Sequence, residues 1–270
     1  MDFSSMLLEA RREEKKKREC VAKITTDEEN CGDKFGELLG DKKDISLVEE
    51  YVKTQFNLPA RPKLSLMSAS RISQLPSLYF LENWISKEEE AEILKIIEKS
   101  PKECWVRLKT RQLQNWGGIV GSEKFIAEPL PVYLQQICHQ LHSSGAFPVH
   151  PNHVLLNRYT PGQGILPHTD GIRYHPFTAT LSLGSSGVMK FYRNHQSTKD
   201  VNGHTLSVFL PRRSLLLFTD ELYSSFLHSI PEVEADVIDS KIVNKELLGL
   251  KEGDTIARNT RISLTIRYVT

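Results

Sequence analysis

The stretch Asn157–Asp170 reads NRYTPGQGILPHTD and ends in a His-x-Asp sequence. Alternate side chains of an extended strand point to the same side, so His168 and Asp170 are predicted to converge on one point. An imidazole and a carboxylate make up two thirds of the 2-His-1-carboxylate ligand set, which suits Fe(II) and leaves coordination positions open. His-x-Asp sequences are also common on protein surfaces, so the pair alone fits two exposed polar residues equally well.

A third ligand has to come from elsewhere in the chain. His228 is the candidate, because the preceding residues 224–227 include a short apolar run that predicts a strand ending at this histidine.

The C-terminal segment 261–268 alternates strictly between polar and apolar residues, as a half-buried strand does. Solvent exposure explains a polar face on many antiparallel strands. The alternative is a polar barrel interior, in which an arginine clamps a carboxylate through two parallel hydrogen bonds. A dicarboxylic co-substrate that also chelates iron, such as 2-oxoglutarate, would account for both the ligands and the arginines. The polar face carries Arg261, Ser263, Thr265 and Arg267, and the apolar face Ile262, Leu264, Ile266 and Tyr268.

Short strands dominate the chain after His153, and about eight of them separated by turn signals favour a jelly roll over a parallel sheet. Two amphipathic helices precede them. The first begins with a capping box at Ser86 and the second spans about 130–142. A hairpin with its turn at Gly117-Gly118 lies between the helices. The predicted strands are 78–81, 153–159, 165–168, 178–183, 189–193, 206–210, 214–218, 225–228 and 261–269.

Residues 1–76 differ from the remainder in composition and are predicted to be an N-terminal extension and linker, partly disordered. Helical periodicity returns over 45–58, so a helix there would dock on the domain or recruit a protein partner. The folded domain is predicted to cover residues 77–270.

Composition limits the classes of partner and compartment. The formal net charge is +1, so the chain lacks the overall basic footprint of many duplex-binding proteins. No apolar run is long enough to cross a membrane. We expect a monomer. Four cysteines without zinc-like spacing (Cys20, Cys31, Cys104 and Cys138) predict free thiols in a reducing compartment, the cytoplasm or nucleus.

The order of these motifs, from Asn157-x-Tyr159 through the ligand residues to the closing arginine strand, resembles the AlkB family of Fe(II)- and 2-oxoglutarate-dependent dioxygenases. Segments 113–118 and 182–185 are most similar to the AlkB homologue 6 branch. The resemblance covers roughly residues 78–270. It implies a double-stranded β-helix, the jelly roll of this family, with the two helices buttressing its outer sheet.

The resemblance also implies roles for individual residues. His168, Asp170 and His228 would bind Fe(II), with 2-oxoglutarate and O₂ as co-substrates. Ser263 stands where the founding members have asparagine, and its hydroxyl reaches less far. Arg267 would orient the keto-acid end, or else form a salt bridge at a strand end. The expected 2-oxoglutarate contacts are Asn157, Tyr159, Arg261, Ser263 and Arg267.

Substrate contacts are expected on the hairpin, which takes the place of the family's substrate lid. Trp116 would contact the substrate there or pack at the turn, and Tyr174 and Phe177 would wall the pocket. The remaining lid residues are Arg107, Lys109 and Arg111.

Three functions remain open at this point. The first is oxidative demethylation of alkylated nucleic acid, and the second is the same chemistry on a methylated protein residue, which the acidic stretch 232–239 favours. The third is a non-catalytic module that binds iron and 2-oxoglutarate and recruits partners. The intact metal-ligand and arginine motifs argue against the non-catalytic module, because a scaffold requires neither.

Overall fold

The computed structural model describes residues 56–64, 72, 77–120, 124–193 and 206–270. Short antiparallel strands make up most of this part of the chain. They are β1 (Leu78–Leu81), β2 (Val106–Arg107), β3 (Gln112–Trp116), β4 (Gly118–Val120), β5 (Phe125–Ala127), β6 (His153–Tyr159), β7 (Ile165–His168), β8 (Phe177–Leu183), β9 (Gly187–Arg193), β10 (Leu206–Leu210), β11 (Leu215–Thr219), β12 (Phe226–Ile230), β13 (Ala235–Val237), β14 (Thr255–Ala257) and β15 (Arg261–Arg267).

Two sheets form the body of the domain. The larger has the order β1-β11-β8-β15-β6-β3-β2, and the smaller has the order β10-β9-β12-β7. From β6 to β15 the chain passes repeatedly between the sheets, which is the path of a jelly roll. The predicted fold class is therefore confirmed. The predicted bounds of eight of the ten strands from β6 onward agree with the observed ones within two residues, whereas β13 and β14 were not predicted.

Strand β15 lies at the centre of the larger sheet, where it pairs with β6 on one side and β8 on the other. Its apolar residues belong to the core between this sheet and the helices, as the alternation predicts. Its polar residues lie between the two sheets instead of in water, since Arg261 is 2 % and Arg267 3 % exposed. The solvent-exposed interpretation of this face was wrong.

Three α-helices and a short 3-10 helix (Lys102–Cys104) are described, and two of the α-helices cover the outer face of the larger sheet. Helix α1 (Lys87–Glu98) begins with the predicted capping box, in which Ser86 Oγ accepts from the Glu89 amide at 3.2 Å and Glu89 Oε2 accepts from the Ser86 amide at 2.6 Å. Helix α2 (Val132–Ser143) buries the predicted apolar stripe. Helix α3 (Asp220–Ser224) is a single short turn before β12.

A buried carboxylate ties α1 to the loops of the jelly roll. Glu90 is fully buried and accepts a hydrogen bond from the Gly184 amide at 2.8 Å. Arg212 places its Nε 2.9 Å from Glu90 Oε2, and Arg213 places a terminal nitrogen 3.4 Å from the same oxygen. Because a buried charge needs partners, this cluster fixes the position of α1 on the sheet.

The predicted hairpin exists, but its turn is elsewhere. Strands β2 and β3 are joined through residues 108–111, where the Leu108 amide donates to the Arg111 carbonyl at 2.9 Å. Gly117 and Gly118 instead lead the chain into β4, which pairs with β5. A Cβ on Gly117 would lie 2.1 Å from the Asn152 carbonyl oxygen, so the glycine is required by close packing of two backbones.

The predicted helix over 45–58 lies outside the described residues up to residue 55, and its last three residues are not helical. Phe56 and Leu58 are buried in the core formed with α2. The backbone of Leu58 and Arg61 bonds to side chains of α2 at 3.0 Å each. Residues 56–64 therefore pack on the domain, although the sequence places 59–64 in a linker.

No helix within the described ranges is both long and apolar enough to pass through a membrane.

Candidate functional site

Three side chains predicted to bind metal meet at one end of the space between the sheets. Strands β7 and β12 pair so that His168 lies opposite His228. Asp170 follows β7 by two residues. The three donor atoms lie within 4.8 Å of one another, and the Nε2 of His228 is 4.0 Å from Oδ1 of Asp170. In the part of the chain that the structure describes, this is the one group of three or more such residues close enough to share a metal ion.

The protonation states of this group suit a divalent cation. Nδ1 of His168 lies 2.8 Å from the Leu166 carbonyl oxygen, so the Nδ1–H donates and Nε2 keeps its lone pair. Burial, followed by the neighbouring His228, lowers the pKa of His168 to about 3, and burial likewise lowers the pKa of His228. Burial alone would raise the pKa of Asp170, but Arg267 and the two histidines lower it to about 2. At neutral pH the site therefore offers two neutral imidazoles and one carboxylate.

Asp170 is held by two residues of the larger sheet. Arg267 donates from Nε to Oδ2 at 3.0 Å and from a terminal nitrogen to Oδ1. Thr178 donates its hydroxyl hydrogen to Oδ2 at 2.9 Å. Arg267 thus lies beside the ligand group, as expected, and its partner is a buried carboxylate in the site and not one at the protein surface.

The second arginine of β15 marks the opposite end of the same space. Arg261 donates to Ser182 Oγ at 2.8 Å, and its guanidinium carbon lies 5.9 Å from the centre of the Tyr159 ring. Burial lowers its pKa to about 10, and the side chain stays charged at neutral pH. Gly187 packs against its aliphatic stem, since a Cβ there would lie 3.1 Å from Cδ.

The Nε of Arg261 makes no hydrogen bond within the described residues, although it is buried. A buried guanidinium nitrogen without an acceptor is costly, so the arrangement calls for an anionic ligand. Tyr159 faces the same point. Burial raises the pKa of its phenol, while Arg111, Arg261 and a hydrogen bond with Ser263 act in the opposite direction. The phenol is therefore neutral and able to donate to a carboxylate.

One small cavity of about 30 Å³ connects the two ends. Asn157 faces the cavity and accepts a hydrogen bond from Arg111 Nε at 3.0 Å. The donor set at one end fits a divalent iron, and the charged, partly unsatisfied arginine at the other fits the far carboxylate of a diacid. Lining residues include Asn157, Tyr159, His168, Thr178, Thr180, His228, Arg261, Ser263, Thr265 and Arg267.

The structure brings the expected metal ligands together, but it places two of the expected substrate-contact residues away from the cavity. Trp116 pairs with Val154, so its side chain lies on the helix-covered face of the sheet, where its Nε1 donates to Gln114 Oε1 at 2.9 Å. Phe177 faces the same core and lies 4.6 Å from Phe147 between ring centres. Both predictions of substrate contact were wrong, because alternate residues of a strand face opposite sides.

Arg111 is also not an exposed lid residue. It is 2 % exposed and donates to Asn157, so it supports a residue that lines the cavity. Arg107 and Lys109 are exposed on the hairpin. Tyr174 lies near the ligand group, with the Arg267 guanidinium carbon 4.8 Å from its ring centre.

Some residues of the site were not identified from the sequence. Thr178 and Ser182 support Asp170 and Arg261, and with Thr180 they repeat at every second position of β8. The alternation that identified β15 is thus present in β8 as well. Tyr223 approaches the site from α3, with its hydroxyl 3.2 Å from the Gly171 carbonyl oxygen, and no local pattern marks it.

The acidic stretch 232–239 lies away from the ligand group. The Gly162 amide donates to the Val233 carbonyl at 3.1 Å, and the Arg258 amide donates to the Glu234 carbonyl at 2.8 Å, which places the stretch near the Arg261 end. Pro231 follows His228 by three residues, about 10 Å along an extended chain. One of the acids, Asp236, is buried and paired with Arg258.

Comparison with known proteins agrees with this geometry. Residues 104–267 match the model of the 2OG-Fe(II) oxygenase superfamily. The "Probable RNA/DNA demethylase ALKBH6" of Danio rerio is 40 % identical over 201 residues, which are 72 % of this chain and 86 % of that protein. The "tRNA (carboxymethyluridine(34)-5-O)-methyltransferase ALKBH8" of Mus musculus is 31 % identical over 72 % of this chain, but the match covers 30 % of that protein.

A solved structure, "The structure of OsALKBH1", superposes with a TM-score of 0.51 at 15 % identity, covering 71 % of this chain and 96 % of that one. This likeness concerns the fold alone. The match of the family model and the 40 % identity to the Danio rerio protein together carry the assignment. The chain belongs to the 2OG-Fe(II) oxygenase superfamily, and within it to the AlkB-like dioxygenases.

Proposed function

We propose that this dioxygenase oxidatively demethylates alkylated nucleic acid. The observation that carries the proposal is the single cavity that joins the His168, Asp170 and His228 group to the buried, partly unsatisfied Arg261. When Fe(II) and 2-oxoglutarate are bound, such a centre uses O₂ to hydroxylate a carbon, with succinate and CO₂ as products. Hydroxylation of an N-methyl group gives a carbinolamine, which releases formaldehyde and leaves the base unmethylated.

The residues divide the work as follows. His168, Asp170 and His228 hold the iron. Arg267 and Thr178 hold Asp170 in place. At the other end, Arg261 and Tyr159 bind the far carboxylate of 2-oxoglutarate. Asn157 orients the keto-acid end, fixed by Arg111, and Ser263 supports the Tyr159 hydroxyl.

Several observations support nucleic acid as the substrate. The Danio rerio relative is described as a probable RNA/DNA demethylase. Arg107 and Lys109 are exposed on the hairpin and are able to contact phosphates. Tyr174, next to the ligand group, is placed to contact a base that has left its stack. The acidic stretch that would repel phosphate lies toward the Arg261 end.

A methylated protein residue is the second candidate. The observation that favours it is the formal net charge of +1, which is low for a protein that binds a polyanion.

The test is succinate formation by the purified protein with Fe(II) and 2-oxoglutarate, in the presence of methylated oligonucleotides or of methylated peptides. Stimulation by the oligonucleotides supports the proposal, and stimulation by the peptides alone favours the second candidate. The variant His168→Ala serves as the control for iron-independent background. Binding of both iron and 2-oxoglutarate without turnover on any substrate would instead favour a non-catalytic module.

We further propose that residues 77–270 form the catalytic domain, that residues 1–76 are an accessory extension able to bind a protein partner, and that the protein acts as a monomer. Cys104 and Cys138 are free thiols, in keeping with work in the cytoplasm and nucleus. Removal of residues 1–55 should leave turnover intact and abolish capture of any partner that binds the extension.

A further inference from the structure

The side chain of Ile172 is fully exposed, two residues after the proposed iron ligand Asp170. It is the most exposed large apolar side chain among the described residues. It lies in a turn, Gly171–Tyr174, in which the Tyr174 amide donates to the Gly171 carbonyl at 3.2 Å. Turns favour glycine, proline, asparagine and aspartate, so the turn conformation does not explain a β-branched aliphatic residue in this position.

The turn is held firmly from two sides. Tyr223 donates its hydroxyl hydrogen to the Gly171 carbonyl at 3.2 Å. The backbone and the hydroxyl of Thr270 both donate to the Arg173 carbonyl, at 3.1 and 3.2 Å. Ile172 is therefore an apolar side chain in water on a fixed support. A support of this kind lowers the entropic cost of inserting the side chain into a partner.

We propose that Ile172 inserts into the base stack of a duplex and fills the gap left when the alkylated base enters the cavity. The inference rests on the proposed function. Enzymes that act on a base take it out of the stack, which leaves a gap between its neighbours. Apolar side chains inserted between base steps are an established way for proteins to occupy such a gap.

The location of Ile172 fits this action. It lies two positions after Asp170, so the two Cα atoms are at most about 7 Å apart. A base whose methyl group reaches the iron end of the cavity would leave its gap close to this turn. Leu247 is the matched control: it is 61 % exposed, but it lies in the segment that follows the acidic stretch.

The experiment compares Ile172→Ala and Leu247→Ala with the unsubstituted protein on one methylated oligonucleotide, offered both as a single strand and in a duplex. Ile172→Ala should lower kcat/KM on the duplex at least about tenfold, because it removes the side chain that offsets base unstacking. On the single strand, where there is no duplex gap to fill, the loss should stay below about twofold. Ile172→Leu should restore most of the activity on the duplex, and Leu247→Ala should change neither value.

A second readout does not require turnover. The fluorescence of 2-aminopurine placed beside the methylated base in the duplex should rise on binding without O₂, and rise less with Ile172→Ala. Thermal unfolding verifies that the variants fold, since a fully exposed side chain contributes little to stability.

The outcomes separate the two proposals. The inference about Ile172 is overturned if Ile172→Ala behaves like Leu247→Ala on the duplex, or if it lowers kcat/KM equally on both substrates. The proposed function stands in either case. If the unsubstituted protein demethylates neither form of the oligonucleotide, the proposed function fails, and the inference about Ile172 fails with it.

Discussion

The guanidinium of Arg267 is joined to the carboxylate of Asp170 by two hydrogen bonds, although the residues lie 97 positions apart in the chain. The pair links the loop after β7 to the end of β15. The last strand of the domain therefore sets the orientation of a proposed iron ligand, and the site is complete once the C-terminal strand has paired.

Replacing this arginine tests the link. Arg267→Lys keeps the charge but loses the planar fork, so Asp170 is less well oriented. We expect turnover or iron affinity to fall about 10- to 100-fold, as is usual when a group that orients a metal ligand is changed. Arg193→Lys is the control, because the Arg193–Glu221 pair at 3.2 Å is solvent-exposed and involves none of the three ligand residues. Equal kinetics for the two variants would contradict the assignment.

Removing one ligand should abolish iron binding without unfolding the domain. His168→Ala deletes one imidazole from an open site whose loss leaves the core between the sheets and helices intact. At a metal concentration 100 times Kd, the unsubstituted protein should gain about 2.7 kcal/mol of stability. Thermal unfolding with and without metal measures the gain, which should vanish in the variant. A variant that is unfolded even in chelator would show that the site is also structural.

The interaction of Arg261 with 2-oxoglutarate is testable by direct binding. Arg261→Gln removes the charge and should weaken 2-oxoglutarate binding by about 10- to 150-fold, the equivalent of a hydrogen bond to a charged group. Ser182→Ala removes only the hydroxyl that accepts from Arg261 at 2.8 Å and should have a smaller effect. Calorimetric titration measures both. A larger effect at Ser182 than at Arg261 would contradict the proposed anchor.

Acid should destabilise the metal-free protein through its buried histidines. The folded state holds His168 with a pKa of about 3, below its ordinary 6.5, and the pKa of His228 is lowered too. The unfolded chain therefore binds protons that the folded one does not. The free energy of unfolding should fall as the pH drops below about 6.5, by up to about 1.4 kcal/mol per pH unit for each histidine.

Asp170 adds to this loss below about pH 4, since its lowered pKa stabilises the folded state only while the carboxyl is ionised in the unfolded chain. Urea unfolding in chelator at several pH values measures the slope. His168→Gln should reduce the slope by one histidine's share, and an unchanged slope would mean that His168 titrates normally.

The attachment of helix α1 depends on Glu90. Glu90→Ala leaves the Gly184 amide and two arginines without their carboxylate, and such a loss costs about 3–5 kcal/mol for a buried pair. Glu92→Ala is the control on the same helix, because its pair with Lys95 is exposed and 3.7 Å long. That change should cost less than about 0.5 kcal/mol. Chemical denaturation of both variants gives the comparison.

The sequence predicts those features of the fold and the site that repeat along a strand. The alternation over 261–268 identified β15, and the His-x-Asp sequence identified two neighbours at one point, because period two is local information. The residues around these two motifs do not show which strand each motif pairs with. For this reason the sequence did not reveal that Trp116 and Phe177 lie on the helix-covered face of the larger sheet.

Tertiary contacts account for the remaining errors. Arginine is usually found at the protein surface, but the turn at 108–111 brings Arg111 into hydrogen-bond contact with Asn157. Tyr223 reaches the site from a helix of five residues, too short to show a periodic pattern. The glycine pair at 117–118 looked like a turn, whereas Gly117 is needed because the Asn152 backbone approaches it.

Strand β15 is hydrogen bonded along its length to β6 and to β8, so neither of its arginines can move along the strand axis without breaking the sheet. The distance along β15 between Arg261, which would bind the diacid, and Arg267, which holds Asp170, is therefore fixed by the paired backbone. Homologous keto-diacids shortened or lengthened by one methylene should be rejected for their length, although they carry the same charges. Substitutions that enlarge the cavity should not restore binding of these diacids, because the backbone of β15 sets the distance between the two arginines.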